Sequence, residues 1–304
     1  MINSATDELV TIRDWLRWAV SRFNEAGLCF GHGTTNAWDE AVWLVLATLH
    51  LPHDTLEPWL DARLTHSERL GLLNNLQQRV VHRLPTAYLV QEAWLGQFRF
   101  YVDQRVIVPR SYFAELLEHG FAPWIEDPEA VGSALDLCTG SGCLAILMAN
   151  AFPNASVDAI DISPDALVVA CRNIADYRLE DRVKAIESDL FAAVKGKRYD
   201  LIMSNPPYVT ADAMAALPPE YRHEPALALA AGEDGLDVVR RILAEAREHL
   251  NPGGVLAVEV GHNQDLVTAA FPDLAAVWLD TEDAEGKVFL VMRDDLPAAR
   301  KRGA

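Results

Sequence analysis

The stretch SALDLCTGSGCLAILMANAF, residues 133–152, decides how this chain is read. The short apolar run SALDL closes on a cluster of small residues, Cys138-Thr139-Gly140-Ser141-Gly142, and an apolar run of helical length follows. Small residues let a backbone turn sharply and approach a ligand closely. A strand that passes through such a turn into a helix is half of a βα unit, and the pattern then repeats. SVDAIDIS (156–163) reads as a strand, and PDALVVACRNIADYRL (164–179) as a helix with Pro164 in its first turn after Ser163. RVKAIESD (182–189) and YDLIMSN (199–205) are two more strands. LDVVRRILAEAREHL (236–250) is an amphipathic helix expected to end at Asn251-Pro252-Gly253-Gly254, with GGVLAVEVG (253–261) as the next strand. A helix over QDLVTAAF (264–271) and two strands near AVWLD (276–280) and KVFLVMRD (287–294) complete the series. Repeated βα units with apolar strands imply an α/β fold, with a parallel sheet covered on both faces. Ligands of such sheets bind outside the carboxyl ends of the strands.

Working outward, the first ~90 residues change character. TIRDWLRWAVSRFNEAGL (11–28) places Ile12, Leu16, Ala19, Val20 and Phe23 at helical spacing. DEAVWLVLATLHL (39–51) and HSERLGLLNNLQQRVVHRL (66–84) read as two further helices. This part has no group of side chains that suggests chemistry. WLGQFRFYVD (94–103) then alternates apolar and polar residues, QRVIVPR follows, and Pro109 closes a β-hairpin. The expected organisation is a helical N-terminal substrate-recognition domain (1–87), a hairpin linker (88–110) and the α/β domain (111–304).

Composition narrows the classes. Half of the 304 residues are hydrophobic, so disorder is excluded as the main state. Four cysteines, at positions 29, 138, 143 and 171, form neither a disulfide scaffold nor a zinc-ligand pattern. The acidic start MINSATDELV has no signal-peptide character. The longest apolar stretch, Ala41 to Leu49, falls short of the roughly 20 residues that cross a bilayer. A cytoplasmic protein without a membrane role is expected. The net charge of −18 argues against gripping naked nucleic acid and suits a basic partner.

The strand ends carry the chemistry. The turn Asp136 to Gly142 lacks the full G-x-G-x-x-G spacing, which lowers a hydride-transfer reading. Asp161, at the end of the second strand, can accept hydrogen bonds from ribose hydroxyls or serve as a helix N-cap. Ser188-Asp189-Leu190-Phe191, at the third strand end, sets a carboxylate beside apolar side chains, as an adenine ring requires. The most specific feature is Ser204-Asn205-Pro206-Pro207-Tyr208 at the fourth strand end. Two prolines stiffen the backbone and remove two N–H donors. The acceptors that remain, the Asn205 side-chain oxygen and the Pro206 carbonyl, suit a planar –NH₂ group with Tyr208 on its π face. An amide nitrogen is a poor nucleophile because its lone pair is delocalised. Holding both hydrogens aims that lone pair at an electrophile, and positioning of this kind can supply roughly 7–11 kcal/mol of a barrier.

In this order, DLCTGSG, Asp161, SDLF and NPPY, the chain resembles the class I S-adenosylmethionine-dependent methyltransferases, and more narrowly the glutamine amide methyltransferases related to HemK. The resemblance covers essentially the whole chain. It implies a seven-stranded Rossmann-like catalytic domain behind a helical domain and a hairpin. It implies that Asp136, Cys138, Thr139, Gly140, Ser141 and Gly142 cradle the methionine part of S-adenosylmethionine, with S-adenosylhomocysteine as product. Asp161 and Ile162 would hold the ribose, and Asp189 and Leu190 the adenine. Asn205, Pro206 and Tyr208 would be catalytic, Asn205 would also contact the cofactor near its sulfonium, and Asn205, Pro206, Pro207 and Tyr208 would form the glutamine site, with no metal. Cys138 stands where glycine is commoner in the wider family. Val108-Pro109-Arg110-Ser111-Tyr112-Phe113, the N-terminal helices, and Leu217 to Asp237 resemble the branch that methylates large-subunit ribosomal protein three. That branch implies a basic ribosomal protein substrate, met free rather than assembled. Methylation of a release-factor glutamine or of an adenine amino group are the alternatives. The long loop Val209 to Leu236 is expected to cover the amide pocket. Tyr221, His223 and Glu224 are candidates for peptide contacts there, unless Glu224 and Asp234 cap local turns.

Overall fold

The computed structural model describes residues 5–282 and 284–297, and the chain divides into two compact units. The first comprises residues 1–93, 102–104 and 218–223. It is built from helices α1 (Ala5–Glu8), α2 (Ile12–Glu25), α3 (Ala37–Thr48), α4 (His66–Val81) and α5 (Thr86–Val90). Local chemistry starts the longer helices. Thr11 with Asp14, and Thr65 with Glu68, form capping boxes, and the Asn36 side chain accepts the Asp39 N–H. Their apolar stripes meet in one core around Trp15, Leu16, Phe23, Leu44, Val45, Leu72 and Leu76. Val20, expected to share the α2 stripe, is only partly buried.

This unit also holds a polar cluster that the sequence reading missed. Arg79 is 1 % exposed and donates to Glu40, to Glu220 at 3.3 Å and to the Cys29 carbonyl at 2.8 Å. Thr86 donates to Glu40 at 2.8 Å, and the Cys29 N–H to Glu220 at 3.1 Å. Glu220 belongs to a single 3₁₀ stretch, Pro219–His223, that clusters with the helices.

The second unit carries the sheet. A two-stranded hairpin, β1 (Ala93–Leu95) and β2 (Phe98–Phe100), occupies the middle of the expected linker, while 101–112 has no strand. A short helix, α6 (Phe113–Glu118), follows. The βα series comes next: β3 (Ser133–Leu137), α7 (Cys143–Ala151), β4 (Ser156–Asp161), α8 (Pro164–Asp176), β5 (Val183–Glu187) and β6 (Tyr199–Ser204). Helix α9 (Ala211–Ala216) lies in the loop beyond, followed by α10 (Asp237–Glu245), β7 (Leu250–Glu259), α11 (Gln264–Ala270), β8 (Val277–Thr281) and β9 (Ala284–Met292). The strand order is β5-β4-β3-β6-β7-β9-β8. Helices α7 and α8 pack on β3, β4 and β5. Val239, Ile242 and Leu243 of α10 join a core with Leu135, Ile202, Leu256 and Phe289 of the sheet.

Two expectations are corrected. The sheet is mixed, because β9 pairs antiparallel with both β7 and β8. Only two residues separate β8 from β9, far too few for the crossover that parallel pairing needs. In addition, Asn251 to Gly254 does not end the helix. Helix α10 stops at Glu245, a 3₁₀ turn continues to His249, and β7 already begins at Leu250. The four residues form an irregularity in the β6–β7 pairing, where Tyr199 faces Leu250 but Leu201 faces Val255. Asn251 Nδ2 anchors it by donating to Asp200 at 2.7 Å.

Candidate active site

The chain reverses its direction of travel across the sheet between β3 and β6, which are adjacent and parallel, with Leu137 opposite Ser204. A crevice outside the carboxyl ends opens at such a switch point. The glycine turn leaves β3 and the NPPY corner leaves β6, so topology sets them side by side. Ser204 Oγ ties the two ends by donating to the Leu137 carbonyl at 2.8 Å.

One cavity lies here. Of the residues singled out in the sequence, Cys138, Gly140, Asp161, Ile162, Asp189, Leu190, Asn205 and Pro207 line it. More of the wall comes from Arg105, Val106 and Ile107 beyond the hairpin, from Pro225, Leu227, Ala228 and Ala230 in the post-NPPY loop, and from Val238 and Arg241 of α10. Four of these nine residues belong to the loop Val209 to Leu236, the expected cover of the amide pocket; Arg105, Val106, Ile107, Val238 and Arg241 were not singled out, because no local motif marks them.

Asp136, Thr139, Ser141 and Gly142 are not brought to the cavity wall. They support the turn from below. Asp136 is fully buried, and its Oδ2 accepts the Thr139 hydroxyl at 2.6 Å and the Ala145 N–H at 3.1 Å. Among the described residues its Oδ1 has no partner, and burial pushes the carboxyl up to about 7. The Ser141 carbonyl accepts from Asn173 at 2.8 Å. Gly142 caps α7 at φ +79°. A Cβ there would sit 3.2 Å from the Cα of Ala170 in α8. Cys138 adopts φ +63°, the left-handed region in which glycine is the less strained residue.

Asp161 does two structural tasks. Its Oδ2 accepts the Gly140 N–H at 2.9 Å and its Oδ1 the Ser163 N–H at 2.9 Å. The N-cap of α8 is the Ser163 side chain, which accepts from Ala166, and not Asp161 itself. The Ile162 N–H also acts on this carboxylate, whose remaining acceptor capacity is left for a ligand. Burial raises its pKa above the ordinary carboxylate value. Asp189 pairs with Arg241 at 2.8 Å in a half-exposed contact beside the cavity. Leu190 follows at φ +48°. The Ser188 hydroxyl holds that turn, donating to the Leu190 carbonyl at 2.8 Å and accepting the Ala193 N–H at 2.9 Å.

At the NPPY corner, Pro206 is buried and Pro207 half-buried. Tyr208 is not among the lining residues. Its ring lies against Gly261, where a Cβ would fall 2.7 Å from the ring, and its carbonyl accepts Asn263 Nδ2 at 2.7 Å. Asn205 Nδ2 donates to Glu259 Oε1 at 3.0 Å, with the Arg110 carbonyl further off at 3.5 Å. Glu259 ends β7, is 1 % exposed, and also accepts the Ser111 hydroxyl at 2.5 Å and the Tyr112 N–H at 3.1 Å. Burial pushes its carboxyl up to about 7. A carboxylate inside the otherwise apolar run VLAVEV was the available sequence signal for it.

The loop after the corner folds back on itself. The Val209 N–H donates to the Leu229 carbonyl at 2.8 Å and the Ala231 N–H to the Val209 carbonyl at 3.0 Å. The expected peptide contacts of this loop are otherwise engaged. Glu224 is buried and takes a two-pronged bond from Arg110 at 2.6 and 2.7 Å, plus the Val108 N–H at 3.0 Å. Tyr221 packs on His32 at 4.4 Å, and His223 Nε2 meets the His82 carbonyl at 2.8 Å. Asp234 accepts the Leu236 N–H and pairs with Arg240.

A seven-stranded sheet whose two central neighbours, β3 and β6, end in a small-residue turn and in NPPY defines a class I methyltransferase domain. The family model for the methyltransferase small domain matches residues 121–217. The ribosomal protein uL3 glutamine methyltransferase of Neisseria gonorrhoeae is 58 % identical over 97 % of this chain and 99 % of its own. That of Bordetella pertussis is equally similar, at 58 % over 97 % and 99 %, and that of Bradyrhizobium diazoefficiens is 55 % identical over 95 % and 92 %. Among solved structures, a methyltransferase from Pyrococcus furiosus is similar at 18 % identity and a TM-score of 0.46, covering 76 % of this chain and 99 % of that one. The chain belongs to the family of ribosomal protein uL3 glutamine methyltransferases.

Proposed function

We propose that this chain transfers a methyl group from S-adenosylmethionine to the side-chain amide nitrogen of one glutamine in ribosomal protein uL3. The observation that carries the reading is that Asn205 and Pro207 open onto the same cavity as the glycine turn, Asp161 and Asp189.

The groups around the cavity fit the methyl donor. Gly140 has open space where a Cβ would sit, so the backbone forms a cradle there. The remaining acceptor capacity of Asp161 suits a ribose diol. Ile162, half exposed, and Leu190 offer apolar surface to the nucleoside, with Asp189 at its polar edge. The unpartnered Asp136 Oδ1 leaves acceptor capacity beneath the turn for an ammonium group. When bound, S-adenosylmethionine supplies an electrophilic methyl on a sulfonium, which leaves as a neutral thioether. The residues of the chain then have one main task, to orient a reluctant nucleophile. Asn205 Oδ1 accepts one hydrogen of the glutamine –NH₂ and the Pro206 carbonyl accepts the other; as the N–CH₃ bond forms and the C–S bond breaks, the nitrogen releases one of these protons to water. The prolines stiffen that corner, and Tyr208 packs beside it. The loop Pro225–Ala230 shields the cavity from water.

The helical unit is proposed to select the protein substrate. The net charge of −18 steers a basic ribosomal protein toward the enzyme, and favours the free protein over one already wrapped in RNA. The reaction then belongs in the cytoplasm. The test is purified uL3 incubated with labelled S-adenosylmethionine and mapped by mass spectrometry, beside a release factor and DNA. One methyl on one uL3 glutamine is expected. Label confined to the release factor or to DNA refutes the reading.

A further inference from the structure

The carboxamide of Asn205 has two faces, an acceptor and a donor, and only the acceptor serves a substrate –NH₂. We propose that Glu259 is the positioning residue that sets this polarity: as a carboxylate it holds Asn205 Nδ2 away from the substrate, so that Oδ1 faces the glutamine amide. The inference rests on the glutamine-clamp reading above and adds to it the device that makes the clamp an acceptor.

The hydrogen bonds leave little choice. An ionised carboxylate only accepts, so the amide edge 3.0 Å from Glu259 Oε1 is the –NH₂ edge. The Arg110 carbonyl, also an acceptor, lies toward the same edge. Among the described residues Asn205 Oδ1 accepts no hydrogen bond, and Asn205 lines the cavity. The other Glu259 oxygen, Oε2, is taken by the Tyr112 N–H and the Ser111 hydroxyl. That hydroxyl accepts the Phe113 N–H at 3.1 Å, which leaves its own proton for Glu259. A proton arriving at Glu259 therefore goes to Oε1. There it sets a donor against the Asn205 –NH₂, and the pair either parts or the carboxamide reverses. In both cases the substrate loses its acceptor.

The groups that face Glu259 make this event accessible near neutrality. Burial raises the carboxyl, and the bonds from Ser111, Tyr112 and Asn205, with the charge of Arg110, work against that rise. Arg110 is itself committed to Glu224. Neighbouring β9 sets apolar Val288 opposite, and Asn205, the residue that follows β6, meets it from the other side. Activity is thus expected to fall on the acid side as Glu259 takes up its proton.

The experiment is the pH dependence of kcat and KM for methylation of uL3 by the full-length enzyme and its variants. In Glu259→Gln the side-chain oxygen replaces Oε2, because Tyr112 and Ser111 demand an acceptor, and the new –NH₂ then opposes Asn205. A fall in kcat of roughly 10–100-fold at every pH is expected, with the acid limb lost and the KM for S-adenosylmethionine within about twofold of wild type. Asn205→Asp in that background accepts from the introduced carboxamide with one oxygen and offers the other to the substrate. It is expected to recover about tenfold, although Asn205→Asp alone sets two carboxylates face to face and loses activity. Ser111→Ala removes a donor from Oε2 and moves the acid limb to higher pH. The inference is overturned if Glu259→Gln keeps wild-type kcat and acid limb, if the double variant is no faster than Glu259→Gln, or if Ser111→Ala leaves the limb unmoved. Should Glu259→Gln fold poorly, Ser111→Ala decides alone. Asn205→Ala separates the two readings: loss of transfer there with wild-type behaviour at Glu259 and Ser111 removes only this inference, whereas full transfer by Asn205→Ala removes the clamp itself.

Discussion

Two glycines in one turn are expected to fail in opposite ways when replaced by alanine. Gly142 sits at φ +79°, and a Cβ would lie 3.2 Å from both the Cα and the Cβ of Ala170. The left-handed backbone costs a non-glycine residue about 1–2 kcal/mol. Crowding against a helix backbone, which cannot swing aside, adds about 1–3 kcal/mol. The sum is about 2–5 kcal/mol, and for a unit of this size each kcal/mol lowers Tm by about 2–4 °C. Gly140 sits at φ +55° with nothing within 4 Å of its missing Cβ, but it lines the cavity. Gly140→Ala therefore costs only the backbone part in stability, and its methyl occupies the cradle. A loss of about 1.4 kcal/mol in binding is tenfold in Kd, and at least that is expected for S-adenosylmethionine. Thermal melts and calorimetric titration of both variants check the pair. The reasoning fails if Gly142→Ala melts with wild type, or if Gly140→Ala binds S-adenosylmethionine as tightly as wild type.

Three further outcomes follow from the buried charges. Arg79→Met strands Glu40, 3 % exposed, and leaves Glu220, 1 % exposed, with Arg83 at 3.4 Å as its remaining cation; it should cost about 3–5 kcal/mol by urea denaturation, while Arg79→Met with Glu40→Gln and Glu220→Gln should recover most of it. Asp136 and Glu259 are both held near 7, above their unfolded values, so between about pH 4 and 7 the folded state binds more protons than the unfolded one. The stability they add is complete at low pH and is lost as pH rises through 7. Asp136→Asn, which keeps the neutral form, should gain on the order of 2–4 kcal/mol over wild type at about pH 8 and nothing at about pH 4, while binding S-adenosylmethionine less tightly; a variant less stable than wild type on the alkaline side contradicts this. Arg110→Ala leaves Glu224 buried without its two-pronged partner and should raise the KM for the protein substrate severalfold, with Arg110→Lys intermediate because an ammonium cannot fork; steady-state kinetics on uL3 decides it.

Much of the site was legible because its signals are local. The cluster Cys138 to Gly142, the carboxylates Asp161 and Asp189, and NPPY each stand at the end of an apolar run, and a βα series brings the ends of parallel strands to one edge. Glu259 interrupts an apolar run and Arg110 stands in the segment Val108 to Phe113, but their roles were not legible, since each acts through a partner 54 or 114 residues away along the chain. Asp136 was legible as a strand-end carboxylate, but its burial was not: the tight turn that follows it tucks its side chain under the helix, against Thr139 and Ala145.

The sequence by itself determined the alternation of strands and helices, the capping of the helices and the order of the strand-end motifs, because hydrophobic period and turn chemistry act over a few neighbouring residues. Tertiary structure alone decided that β9 runs against its neighbours, that Arg79 closes a polar cluster inside an apolar bundle, and that Glu259 meets Asn205. Those outcomes depend on desolvation and on which distant groups share a buried space, and neither quantity exists until the chain has packed.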